Sequence, residues 1–134
     1  THVLNGRNVD VVAEVKKITN GGSNYAVETT GVPQVVKQSL NALRPLGTCA
    51  IVGVTPEMTI DVHNDIMAEG KTMVGVIEGD SVPRVFIPEL VNYYKDGKFP
   101  FDRLVKFYEF EQINEAFEDS KNGTTIKPIL KIAK

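Results

Sequence analysis

Two nearly continuous apolar runs, residues 48–54 (TCAIVGV) and 72–77 (TMVGVI), decide most of what this chain can become. A strand with one wet face alternates apolar and polar residues. A run without that alternation marks a strand covered on both faces, as in a parallel sheet flanked by helices. The surrounding pattern agrees. Asn8 or Asp10 can cap a helix in which Val11, Val15 and Ile18 fall at i, i+4 and i+7. Asn20-Gly21-Gly22 stops it. Residues 25–29 read as a strand. Pro33 suits a first helical turn, and Val35, Val36, Ser39, Leu40 and Leu43 form a buried face that lasts until Pro45 and Gly47. Strands alternating with helices through about residue 95 imply βαβ crossovers and a parallel α/β sheet.

Ser81 opens a helical stretch to about Lys95, carrying Val85, Phe86, Leu90, Val91 and Tyr94. Pro88 lacks the N–H for an i→i−4 bond, so a loose first turn is expected, with the regular helix beginning near Pro88. Beyond Asp96-Gly97 the pattern changes. Residues 104–108 form a strand and 110–121 an amphipathic helix with Ile113, Ala116 and Phe117 inward. Asn122-Gly123 stops the helix. A last strand, 127–132, contains Pro128 and so belongs at an edge or starts there.

Ligands in open α/β sheets bind beyond the carboxyl ends of the strands. Those ends are Thr29-Thr30-Gly31-Val32, Val52-Gly53-Val54-Thr55 and Val76-Ile77-Glu78-Gly79. Three small-residue loops on one edge make it the candidate ligand site. Charge narrows the ligand: 15 basic against 17 acidic side chains give a net charge of −2, which argues against a nucleic-acid binder. No apolar run approaches the roughly 18 residues of a membrane span. The lone Cys49 excludes an internal disulfide and reads as a buried, inert thiol. His2 and His63 lie too far apart for a His/Cys zinc cluster, and Asp61 and His63 read as surface residues. Asn122-Gly123-Thr124 fits a glycosylation sequon without secretory context. A reducing, cytoplasmic compartment is the default. An apolar-alternating segment already at residues 2–5, with no Met before it, reads as a piece of a longer chain.

The stretches THVLN, NGGSNYAVETTG, LRPLGTCAIVGV, GKTMVGVIEGD and INEAFEDSKNGTTIKPILKI together resemble the C-terminal part of the medium-chain, zinc-type alcohol dehydrogenase family. Residues 79–110 resemble its aryl- (benzyl-) alcohol dehydrogenase branch. The resemblance implies the C-terminal half of a Rossmann doubly wound parallel sheet over residues 1–103. Residues 104–134 would then be a strand–helix–strand returning to the catalytic (GroES-like) domain. Segments 2–5, 25–29, 48–54 and 72–77 would be the third to sixth strands of six. It implies hydride transfer from a primary, aromatic alcohol to NAD, with zinc polarising the alcohol oxygen.

By the same resemblance Thr29, Thr30 and Val32 flank the adenine and ribose. Val52, Gly53 and Val54, with Val76, Ile77 and Glu78, meet the nicotinamide carboxamide through the main chain. Lys127 approaches the pyrophosphate at a position where Arg is usual. The family's G-x-G-x-x-G loop, its ribose-reading carboxylate and its zinc ligands do not occur in this sequence. No catalytic or metal-binding residue is therefore expected here, and the chain alone is expected to be inactive. The family's subunits join through the strand at 72–77, so a homodimer or larger assembly is expected, with 2–5 left without its neighbouring strand. Two other readings share these features: a zinc-free quinone or enoyl reductase of the same superfamily, and a standalone nucleotide-binding module.

Overall fold

In the computed structural model, which describes residues 1–132, the first helix starts at a capping residue. The Ala13 N–H donates to the Asp10 carboxylate at 3.1 Å, and α1 runs Val11–Ile18. Asn20, Gly21 and Gly22, all at positive φ, turn the chain into β1 (Ser23–Glu28). Helix α2 (Pro33–Asn41) begins on its proline and buries Val36 and Leu40. It ends before Pro45 and Gly47, the expected stop, because Leu43 already enters β2 (Leu43–Ile51). Ser23 pairs with Leu43 but Tyr25 with Thr48, so residues 44–47 bulge from the ladder. Arg44 anchors the bulge by donating to the Gly22 and Thr19 carbonyls at 2.9 and 3.0 Å.

Strand β3 (Thr72–Gly75) completes a parallel sheet in the order β1-β2-β3. The expected strands at 48–54 and 72–77 stop short: residues 52–54 and 76–77 leave the ladder as loops. A π-helical turn, Val62–Ile66, and a 3₁₀ turn, Met67–Glu69, connect β2 to β3. Residues 2–5 form no strand, since a strand exists only by pairing and no described segment pairs with them. Leu40, Leu43 and Cys49 form the buried centre, with Ala26, Ile51 and Ile60 against it. Paired residues share a sheet face. Ala26, Cys49 and Met73 therefore face one way, and Tyr25, Val27 and Val74 the other. On that second face Tyr25 is 78% and Val27 67% exposed.

These elements belong to a first compact unit, Thr1–Asp80; a second begins at Ser81. In the second unit α3 spans Pro83–Lys95 without interruption, not from Pro88 as expected. Pro83 supplies a first helical residue whose N–H has no partner to lose, and the helix continues through Pro88 despite the bond missing there. Strands β4 (Val105–Glu109) and β5 (Lys127–Lys131) pair in parallel, with Pro128 opposite Lys106. A two-stranded sheet has only edges, which satisfies the proline.

Helix α4 (Ile113–Lys121) is entered through a 3₁₀ turn closed by a Glu109–Gln112 capping box. Ala116 is buried, whereas Phe117, expected inward, is 69% exposed. The buried Tyr108 hydroxyl donates to Asp119 at 2.7 Å and lies 2.6 Å from the Thr125 hydroxyl, tying β4 to α4 and to the turn before β5.

Candidate functional site

Register sets the carboxyl ends of the first sheet side by side, Glu28 opposite Ile51 and Ile51 opposite Gly75. The Val52 and Gly53 N–H groups both donate to the Glu28 carbonyl, at 2.8 and 3.1 Å. The Val76 N–H donates to the Ile51 carbonyl at 2.9 Å. The sheet thus uses these three donors. For a ligand there remain carbonyls, the N–H groups further along each loop and the side chains. Thr29, Thr30, Val32, Val52, Val54, Ile77 and Glu78 are exposed, while Gly53 and Val76 are half-buried. Val54 and Ile77, at 97% and 80% exposure, are apolar side chains turned outward. Every predicted site position except Lys127 therefore sits on one edge. Lys127 lies in the second unit, exposed at the start of β5 opposite Val105.

Two glycines hold the edge together. A Cβ on Gly31 would stand 2.8 Å from the Val54 carbonyl carbon, and one on Gly53 would stand 2.8 Å from the Gly31 Cα. Gly31 is also at φ +67. The loops after β1 and β2 touch backbone to backbone, which only glycine permits.

Glu28 was not anticipated. It is 2% exposed. Its carboxylate accepts the Thr30 hydroxyl, the Thr30 N–H at 2.7 Å and the Gly31 N–H at 3.1 Å. The Thr30 hydroxyl first, then the two N–H groups, hold the carboxyl below its ordinary value of 4.5 against the opposing effect of burial. One strand away, burial and the Glu28 charge push the Cys49 thiol up, which keeps it unreactive. The readable signal was a carboxylate ending an apolar strand two and three residues before N–H groups it can cap.

A depressed carboxyl adds stability above its unfolded value and loses it as pH falls through the folded one. The urea midpoint should therefore drop as pH is lowered below 4.5. Glu28→Gln, which does not ionise, should start lower and fall less steeply. Parallel pH profiles for the two proteins would contradict this. Among the described residues no group of three or more His, Cys, Asp or Glu is placed to hold a metal ion.

A parallel α/β sheet with glycine-packed loops at its carboxyl edge is a frame on which ligands bind beyond the strand ends. Residues 1–93 match the zinc-binding dehydrogenase family, and the chain belongs to it. The crystal structure of benzyl alcohol dehydrogenase from Acinetobacter calcoaceticus has a TM-score of 0.88 and 52% identity, over 99% of this chain and 37% of that one. An alcohol dehydrogenase zinc-binding domain protein from Burkholderia ambifaria has a TM-score of 0.88 at 48% identity, over 100% of this chain and 37% of that one. Geraniol dehydrogenase from Castellaniella defragrans is 38% identical over 123 residues, which is 90% of this chain and 33% of that protein. The chain spans about a third of the length of these relatives. Its sheet is of the Rossmann type, as the resemblance implied.

Proposed function

We propose that this chain forms part of an NAD-dependent, zinc-containing alcohol dehydrogenase that oxidises aryl or benzyl primary alcohols to aldehydes. One observation carries the reading: 52% identity across 99% of the chain to a benzyl alcohol dehydrogenase of the same fold. In this reading residues 1–103 serve the coenzyme domain and 104–134 return to the catalytic domain. Residues 72–77 join subunits into a homodimer or larger assembly, and the enzyme works in the cytoplasm. Among the described residues no helix is long and apolar enough to cross a membrane.

The donor set fits a nicotinamide coenzyme. Exposed Val32, Val52, Val54 and Ile77 provide apolar walls for flat heterocycles. The N–H groups of Val54, Ile77 and Glu78 and the carbonyl of Gly53, which also accepts the Thr55 hydroxyl at 3.0 Å, offer donors and an acceptor, which a carboxamide needs to fix its face. In this reading Thr29 and Thr30 serve the ribose end, and the family resemblance alone assigns Lys127 a point charge for the pyrophosphate. NAD, when bound, supplies the hydride acceptor. This chain's residues orient it and shield it from water. The described residues do not form a zinc site, so zinc chemistry is not assigned to any of them.

The test uses the full-length enzyme that carries this sequence. It should reduce NAD with benzyl alcohol, while the 134-residue chain alone yields no NADH. Lys127→Ala should raise the coenzyme KM up to about fivefold, the range of an exposed ion pair, with kcat nearly unchanged. NADH production by the isolated chain, or a full-length enzyme that oxidises no aryl alcohol, would overturn the reading.

A further inference from the structure

We propose that Glu28 is a positioning residue that fixes the spacing between the loops at 29–32 and 52–54, and through it the shape of the coenzyme edge. The inference rests on the coenzyme reading above.

Glu28 holds both loops at once. Its carboxylate takes the Thr30 N–H, the Thr30 hydroxyl and the Gly31 N–H from its own loop. Its main-chain carbonyl takes the Val52 and Gly53 N–H groups from the next one. Three donors converge on the two carboxylate oxygens, so only a group that accepts at both positions serves. An amide of the same shape would turn an N–H₂ toward one of the donors. The Thr30 hydroxyl has a single proton and gives it to Glu28, while its oxygen accepts the Val32 N–H at 3.1 Å. Val32, Thr30 and Glu28 thus form one chain of hydrogen bonds running from the exposed loop into the buried end of β1. The Thr30 hydroxyl is committed inward, and Thr30 acts on a ligand through the loop it shapes. Gly31 and Gly53 transmit any change, because their backbones touch. If the 29–32 loop shifts, the 52–54 loop shifts with it.

The experiment measures NAD affinity, kcat and thermal stability of the full-length enzyme as wild type, Glu28→Gln, Thr30→Val, Thr30→Ser and the Glu28→Gln/Thr30→Val double variant. Glu28→Gln should raise the coenzyme Kd about tenfold, the size of one lost charged hydrogen bond, with kcat and the alcohol KM little moved. Thr30→Val should weaken NAD binding as well, and Thr30→Ser should restore it. The double variant should be no worse than the weaker single one, because the two residues act as one unit.

A purely structural role would lower the melting temperature and leave the Kd of the folded enzyme unchanged. That result overturns the inference. Should Glu28→Gln not fold, the Thr30→Val and Thr30→Ser pair decides, and wild-type affinity in Thr30→Val overturns it. A wild-type enzyme that binds no NAD overturns the coenzyme reading itself. Wild-type binding with unaffected variants overturns only the role of Glu28.

Discussion

Gly31→Ala is expected to destabilise the chain by about 2–5 kcal/mol, the sum of a left-handed backbone strain and an overpacked contact. The strain arises because Gly31 sits at φ +67. The contact arises because the new Cβ meets the Val54 carbonyl group, with the carbonyl carbon at 2.8 Å and the Gly53 carbonyl carbon at 3.2 Å. These are backbone atoms of a neighbouring loop, so no flexible side chain can swing away. Gly79 separates the two effects. Its φ is +66, yet a Cβ there meets nothing within 4 Å. Gly79→Ala should therefore cost only the strain, about 1–2 kcal/mol. Gly53→Ala should cost the contact without the strain. Urea unfolding of the three variants measures each part. Equal losses for Gly31→Ala and Gly79→Ala would remove the backbone-contact argument, and with it the idea that glycine at 31 and 53 sets the edge.

What could be read from the sequence was what local chemistry decides. Asp10 caps α1 because a carboxylate there satisfies the Ala13 N–H, and Pro33 starts α2 because its lost N–H had no partner. The apolar runs announced β2 and β3 but not their ends. Val52, Val54 and Ile77 are as apolar as a core strand, yet they are exposed. Hydropathy does not distinguish a residue apolar within a sheet from one apolar at an exposed strand end. Residues 2–5 carry strand chemistry and form no strand, since pairing is a property of two segments. Phe117 follows the helical period, but α4 has only a two-stranded sheet to cover and leaves the ring exposed. Of the site, the loops were visible as glycine-bearing strand ends. Glu28 left only a local signal, and that it turns inward to accept the Thr30 and Gly31 N–H groups depends on how the chain folds back over three residues.

The 134-residue chain is expected in solution as a dimer or larger assembly, formed through the outer edge of β3. Among the described residues that strand pairs with β2 on one side and with none on the other, so its outer side presents unpaired N–H and C=O groups. Natural edges are normally blocked by charge, proline or a bulge. Thr72–Gly75 carries no charged residue and no proline, and all four residues are exposed, Met73 and Val74 among them. The free edge of β1 is a weaker candidate, because Leu4, Val11 and Val15 border a groove that reaches its Ala26 and Val27. Two copies of one edge related by a two-fold axis pair antiparallel, which joins the two sheets into one continuous sheet. Light scattering at about 100 μM should therefore give at least twice the 14.7 kDa chain mass, a concentration at which even micromolar association is nearly complete. Val74→Lys places a charge on the pairing edge and should return the chain to monomer, whereas Tyr25→Lys on the opposite edge should leave the assembly intact. A 14.7 kDa wild type would refute the association. Dissociation by Tyr25→Lys and not by Val74→Lys would move the interface to β1.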